Sequence, residues 1–489
     1  MLNIKKILFS NFGILITTIL FIIVNAYFVL HENYIFVAVP FFLFILYLAI
    51  LSLDKLLLVV IYFVPISLPL DMFLPDLGFN IQLPTEPILL TITLFIFFRA
   101  LIGQGIDHKI ITHPVSIAII FNLFWILVTS IFSCLPLISF KFLLSRIWFV
   151  FPFYFLAIEV FKNKRNIPRF LWAYNFLLLL IIGIALGKLL QSGLFNQQIA
   201  HRAPEPFFND HTEYGAVMAM LFPFSIALAF NKRFSFGIRA FNWFIVLALG
   251  TAIAFSYCRG AWVGILVSFI IYLLIQTKIN FKWFFAGGVI LSLILLNLKD
   301  DITSKLSHNK QDSSMEFSKH IKSMSNYKTD ESNVERINRW KSAIRMFYEK
   351  PILGWGPGTY TFKYAPYQIV QDKTQMSTNQ GNKGNAHSEY IETLAESGIF
   401  GFLSFLAIIT FTLITCAKVY RRSNENSQTR MFVLSAALGL ITYYVHALIN
   451  DFLLNDKVSA LFWGFTAIIV ALDIYSKKNL EVENTDQNN

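Results

Sequence analysis

Residues 241–276 read FNWFIVLALGTAIAFSYCRGAWVGILVSFIIYLLIQ, 36 residues in which Arg259 is the single charged side chain. As one α-helix this stretch would be ~54 Å long, far more than the ~30 Å hydrocarbon layer of a bilayer requires. It therefore reads as two membrane spans, 241–257 and 260–276, with Arg259 in the turn between them. Working outward, apolar runs of roughly 16 to 22 residues recur from Phe12 to Tyr475, which gives about fourteen spans. They are 12–30, 35–53, 56–70, 88–102, 114–133, 143–161, 169–190, 212–230, 241–257, 260–276, 283–298, 397–416, 431–449 and 458–474. Pro65 and Pro69 interrupt the third and the fourth is short, so twelve or thirteen spans also fit. The whole chain agrees with this class: of 489 residues, 56% are hydrophobic, 16% aromatic and only 14% charged, against ~25% charged in an ordinary globular chain. With 52 phenylalanines and a mean hydropathy of +0.59, intrinsic disorder, a disulfide scaffold and a cytosolic enzyme are excluded. Cys134, Cys258 and Cys416 sit in or beside apolar runs with no CxxC spacing, which supports neither a metal nor a disulfide framework.

Lysine and arginine in short loops mark the cytoplasmic side. Lys5-Lys6, Lys55, Arg99 with Lys109, Lys162 to Arg165, Lys232-Arg233 with Arg239, Lys278 with Lys282, Lys418 with Arg421-Arg422, and Lys477-Lys478 fall on alternate loops. Both termini are thus expected in the cytoplasm, and the net charge of +11 is this loop bias rather than a nucleic-acid footprint. The short basic N-terminus leads into an apolar run with no small-residue cleavage site, so it reads as a first span and not a signal peptide. The organisation expected is N-terminal spans over 1–206, spans carrying the Arg259 motif over 207–298, a large extracytoplasmic loop over 299–395, C-terminal spans over 396–476 and a tail at 477–489. Within the loop, Ser304 to Ser332 is Ser-, Lys- and Asn-rich and reads as flexible. From Val334 to Phe347, by contrast, Val334, Ile337, Trp340, Ile344 and Phe347 recur at helical spacing, with Arg336, Arg339 and Arg345 off that stripe or on its flank.

Three places carry candidate chemistry. Arg259 lies on the outer side, against the charge bias, either as an anion ligand or as an interfacial arginine meeting lipid phosphate. Arg336 and Arg339, at i and i+3, could grip a diphosphate with two guanidinium forks, or simply form an exposed basic face. His387, just before an apolar span and beside Glu389 and Tyr390, has an ordinary pKa near ~6.5 suited to proton transfer, although a lone histidine is also a common surface residue. Topology strengthens all three, because it brings them to one side of the membrane. Arg146, Arg202, Asn209 and Tyr390 are further contact candidates on that side, and the run His201 to His211 reads as a proline-punctuated loop with Asn209 or Asp210 capping the next span. No P-loop, GxGxxG, HExxH, GxSxG or DxD pattern occurs, so no metal or nucleotide cofactor is expected.

Four segments in this order resemble the O-antigen ligase and polymerase family, bacterial membrane proteins that act on undecaprenyl-diphosphate-linked sugars. They are Phe208 to Tyr214, Ser256 to Trp262, Arg339-Trp340 through Pro351 to Gly358, and Ala386 to Tyr390 followed by Glu396 to Gly401. The resemblance covers about residues 207–415. It implies an all-α polytopic protein similar to the membrane glycosyltransferases that use lipid-linked donors, in the bacterial inner membrane, with its active site on the periplasmic face. It implies metal-independent inverting transfer of the glycan to a lipid A core or to another glycan, with Arg259, Arg336 and Arg339 holding the donor diphosphate and His387 activating the acceptor hydroxyl. Membrane lipids would be its surroundings, and no nucleic acid a partner. This chain departs from the family pattern in placing Ser388 where an asparagine often follows the histidine. Its span count is also high. A flippase or other polysaccharide transporter is the alternative, but such proteins usually carry internal repeats and midplane charges, and neither is evident here.

Overall fold

A computed structural model describes residues 11–31, 36, 39–73, 81–277, 331–373, 377 and 384–486. The span expected at 283–298 and residues 304–330 of the loop lie outside the described residues. The chain divides into two compact units, Met1–Leu56 and Leu57–Asn489. The first contains α1 (Asn11–Leu30) and α2 (Val39–Leu51), and α3 (Leu53–Phe63) leads out of it. In the second, a two-stranded antiparallel hairpin, β1 (Leu68–Pro69) and β2 (Gln82–Leu83), pairs Leu68 with Leu83. The remaining described regular structure is helical: α4 (Thr85–Leu101), α5 (Pro114–Ile131), α6 (Pro136–Phe161), α7 (Asn166–Ser192), α8 (Gln197–Arg202), α9 (His211–Phe230), α10 (Phe236–Phe255), α11 (Arg259–Thr277), α12 (Glu331–Glu349), α13 (Glu389–Arg422), α14 (Gln428–His446) and α15 (Asp456–Asp486), with a few single turns. The protein is therefore all-α and polytopic. Eight of these helices, α5, α6, α7, α9, α10, α11, α13 and α15 over Asp456–Ser476, are long and apolar enough to cross a membrane. Each coincides with an expected span.

Their boundaries have local causes. Asp210 caps α9 by accepting from the Thr212 and Glu213 amides at 2.7 and 2.8 Å, which selects Asp210 over Asn209 as the capping residue. Pro152 has no N–H to give, and α6 widens into a π-helical turn over Phe151–Leu156 at that point. At the centre of the second unit is α15, whose Leu461, Phe462, Trp463, Phe465, Ile468 and Ile469 are all buried. Small residues bring the helices around it close. A Cβ on Gly439 of α14 would fall 2.5 Å from the Met220 carbonyl of α9, and one on Gly264 of α11 would fall 2.7 Å from the Thr442 carbonyl of α14. The packed α9–α14–α11 group holds the Arg259 turn against the end of α14. That end is also where α13 starts, with Glu389 N donating to the Ala447 carbonyl.

Candidate functional site

The loop before α13 is fastened to the bundle by backbone. The turn Gly354 to Gly358 donates from Trp355 N to the Ala395 carbonyl (3.1 Å) and from Gly356 N to the Glu396 carbonyl (2.8 Å), and the Glu396 carboxylate accepts from the Gly358 and Tyr360 amides at 2.8 Å each. Cys134 N donates to the Trp355 carbonyl, and the Ser139 hydroxyl to the Pro357 carbonyl. Gly356 (φ 113°) passes so close to the α5–α6 connection that a Cβ would fall 1.9 Å from Ser133 Oγ. Gly398 (φ 65°, ψ −167°) kinks α13 just after Glu396, letting Ile399 N reach the Pro351 carbonyl. The tryptophan-glycine turn is thus a clamp, and what it holds in place is α12.

The face that α12 buries differs from the one its apolar stripe predicts. Ile337, Trp340 and Phe347 are only partly covered and Ile344 is exposed, whereas Glu335, Asn338, Arg339, Ser342, Ala343 and Met346 are buried. The reason is polar pairing: Glu335, Asn338, Arg339 and Ser342 each make at least one hydrogen bond, which offsets most of the usual cost of burying them, although Asn338 Oδ1 has no partner. Asn338 Nδ2 donates to Gln368 (3.0 Å) and Ser377 (3.2 Å), and Arg339 Nε donates to Glu335 at 3.0 Å. Tyr360 Oη, from below, donates to the Arg339 carbonyl at 2.8 Å.

Arg339 and His387 meet at the centre. Arg339 Nη1 lies 3.2 Å from the Asn385 carbonyl and 2.9 Å from His387 Nε2. A guanidinium can only donate, so Nε2 is the acceptor and the ring is neutral with its proton on Nδ1. Burial, followed by the charges of Arg339 and Arg336, pushes the His387 pKa down to about 4, against smaller opposite effects of Asp210 and Glu335. Its backbone sits in the left-handed region (φ 50°), unusual for a side chain this large, and Ser388 then caps α13. Asparagine and serine are both good capping residues, which accounts for the serine at this position. Gly384 (φ 109°) leaves room for the guanidinium, since a Cβ there would touch Arg339 Nη1.

Arg336 is half-buried, and its charge acts on His387, His211, Cys258 and His446. Cys258 precedes Arg259, and the next residue, Gly260, lies so close to His446 that a Cβ would be 2.9 Å from its Nδ1. Arg336 and the Arg259 turn therefore share one patch, formed by α12, α11 and the end of α14. Tyr257, two residues before Arg259, is the other non-glycine residue with positive φ (51°) among the described residues. Strained backbone of this kind costs about 1–3 kcal/mol and persists where the surroundings fix it, often at functional sites.

The other predicted contacts are dispersed. Arg146 is buried in α6, with Glu389, Tyr443 and Glu396 as its electrostatic neighbours and the Phe142 ring 5.4 Å away. Tyr390 turns its hydroxyl to the Tyr444 carbonyl at 3.1 Å. Asn209 is exposed, its amide donating to Glu213, and Arg202 ends the short helix α8. What the sequence reading missed is the support beneath His387. Glu389, Glu392 and Glu396, on one side of the first turns of α13, pack with Asp451. Glu389 accepts from Tyr443 Oη (3.0 Å) and Leu453 N (2.7 Å), and Glu392 from Ala386 N (3.2 Å). Burial, then the neighbouring Glu389, holds the Asp451 carboxyl well above the usual range. The i, i+3, i+7 spacing of the three glutamates was the available signal.

Comparison with known proteins bears on this site. A family model described as O-antigen ligase matches residues 243–406, the segment that runs from α10 through Arg259, Arg336, Arg339 and His387 into α13. That is the family the motifs resemble. The chain is similar to the teichuronic acid biosynthesis protein TuaE of Bacillus subtilis (strain 168), with 26% identity over 369 residues, 72% of this chain and 70% of the relative. It is also 24% identical over 263 residues, 52% of this chain and 62% of the relative, to an uncharacterized protein of Haemophilus influenzae.

Proposed function

We propose that this chain, whose residues 243–406 match the O-antigen ligase family, transfers a glycan from undecaprenyl diphosphate to an acceptor hydroxyl. In this reading the reaction takes place at the periplasmic face of the bacterial inner membrane, with both chain termini in the cytoplasm. The acceptor is a lipid A core or a growing surface polysaccharide. The observation that carries the reading is the 2.9 Å contact between Arg339 and the unprotonated Nε2 of His387, beside the charge of Arg336.

The acceptor oxygen attacks the anomeric carbon and inverts it; the bond from that carbon to phosphate breaks, the diphosphate leaves with the electron pair, and His387 Nε2 takes the acceptor proton. Arg336 and Arg259 stabilise the departing charge without a metal ion, so turnover persists in EDTA. The two loop arginines then divide the work. Arg339, held by Glu335 and Asn385, covers the His387 Nε2 lone pair until the donor diphosphate draws its guanidinium aside and frees that nitrogen for the proton, while Arg336 meets phosphate beside it. A bound diphosphate also offsets the positive charge that depresses His387, bringing its pKa nearer neutrality once the donor is in place. Donor before acceptor is the order this favours.

The test is transfer by purified protein in nanodiscs with an undecaprenyl-diphosphate glycan, with and without lipid A core. Product on the core identifies a ligase and ladders without it a polymerase. No product in either arm from folded protein refutes both.

A further inference from the structure

The close contacts that draw α9, α11 and α14 together, at Gly439 and Gly264, do not continue along the helices. From Phe222, Ile265 and Leu438 towards the side that loop charge assigns to the cytoplasm, the three helices wall a cavity of about 550 Å³. Pro223, inside α9, lines it at the point where that helix lacks an N–H. Most of the wall is apolar, with Phe222, Ile226, Phe269 and Leu434 on it, but the far end is polar and carries Asn231, Tyr420 and Arg430. Asn231 ends α9 and is only 8% exposed. Its Oδ1 turns back to accept from Arg233 N at 3.1 Å, while Nδ2 is buried with no hydrogen-bond partner, a costly state for a donor. Arg430 Nη2 donates to Tyr420 Oη at 2.9 Å, and its guanidinium carbon lies 4.1 Å from the centre of that ring. Its ion pair with Glu425, at 3.7 Å, is weak because that carboxylate is 76% exposed, so Arg430 keeps N–H groups for a better acceptor. Lys232 and Arg233 follow Asn231 directly, and Arg239 lies in the first turn of α10.

We infer that this cavity is a lipid site, which takes an acyl chain of an anionic phospholipid between the helices and its phosphate at Asn231 Nδ2 and Arg430. The dimensions agree: α14 rises ~12 Å from Arg430 to Leu438, most of the ~15 Å that one leaflet contributes to the hydrocarbon layer. A chain entering beside Arg430 therefore ends near the bilayer midplane, against phenylalanine and leucine. The head end selects by charge. A phosphate oxygen satisfies the orphaned amide and the guanidinium together, whereas the ammonium of a zwitterionic headgroup would face Lys232, Arg233 and Arg239. The polyprenyl donor is not the occupant, because the arginines proposed for its diphosphate lie at the opposite ends of these helices. A lipid bound here joins the last turn of α9 to the first turn of α14, which the described side chains leave unbridged at Asn231 Nδ2.

The test needs no glycan transfer, so its outcome is independent of the transferase reading. Thermal unfolding of the full chain, purified in a neutral detergent and freed of lipid, is followed while dioleoyl phosphatidylglycerol, dioleoyl phosphatidylcholine, undecaprenyl phosphate or glycerol phosphate is added. Phosphatidylglycerol should raise the unfolding temperature saturably, with a half-saturating concentration about tenfold below that of phosphatidylcholine. Asn231→Asp keeps the acceptor for Arg233 N and replaces the donor with a negative charge; it and Arg430→Gln should each raise that concentration about tenfold. Ala227→Trp, which blocks the path of the chain, should abolish the saturable shift. If Asn231→Asp fails to fold, Arg430→Gln and Ala227→Trp decide. Equal stabilisation by the two phospholipids, or an unchanged response in the variants, overturns the site. So does stabilisation by glycerol phosphate alone, which would mean a free-anion site, or tighter binding of undecaprenyl phosphate, which would mean a polyprenyl site.

Discussion

His387 and His113 are both enclosed histidines at the start of a long helix, and their hydrogen bonds give them opposite tautomers. At the end of the bundle away from the site, His113 caps α5 by accepting from Val115 N on Nδ1 (3.3 Å), which leaves the proton on Nε2 to donate to Asp473 at 3.2 Å. Lys418 at 3.3 Å and Arg422 complete the pairing of that carboxylate. His387 carries its proton on Nδ1, faces a guanidinium instead of a carboxylate and sits on strained backbone. One ring is satisfied on both nitrogens by a cap and a counter-ion, so it fastens α5, α13 and α15 together. The other presents a lone pair to a cation that a substrate anion can draw away. Residue type does not separate a staple from a base; the partners do.

Four experiments would break or sharpen that contrast. His387→Ala should lower kcat by about 10²–10⁴ in protein that still elutes as a folded species, whereas His113→Ala should leave kcat within a few-fold. Arg336→Ala should cost about 10²–10³ in kcat, read by single-turnover transfer, with partial recovery in Arg336→Lys through charge without the fork. Asp473→Asn should destabilise by about 2 kcal/mol, less than a fully buried pair would, because Lys418 is 54% exposed; thermal unfolding should move while turnover at low temperature does not. The smallest effect concerns pH. A base with its pKa near 4 is already neutral above that value, so kcat/KM for donor should stay flat from pH 8 to pH 5 rather than fall through 6.5. Arg339→Gln removes a charge that favours the neutral ring, so the acid limb should rise towards 6.5.

The membrane helices were legible because uninterrupted Phe-rich runs allow little else, and the Arg259 turn because a mostly apolar stretch of 36 residues with a single charge is too long for one span. The order along the chain put Arg336, Arg339 and His387 in one loop, but the contact of Arg339 with His387 was not legible. Nor was the buried face of α12. Its apolar stripe has the right period, but Asn338 Nδ2 and Arg339 donate to Gln368, Ser377 and His387, 30 to 48 residues further on, and no local pattern encodes that. The same holds for His113 and Asp473, 360 residues apart. The glycine turn at 354–358 stood in the third family-like segment with no role assigned, and only the Glu396 carboxylate under its amides identifies it as a clamp.

The clamp fixes a distance along the chain. From His387 at the mouth of α13 to Glu396 beneath the turn and Gly398 at the kink, each residue is committed to a different neighbour. One residue inserted between Ser388 and Glu396 would rotate the remainder of the helix by about 100° and advance it by about 1.5 Å. Either the carboxylate would leave its two amides or His387 would leave Arg339. Insertions and deletions should therefore be purged from this short interval in descendants of this gene, while the exposed links between helices change length freely.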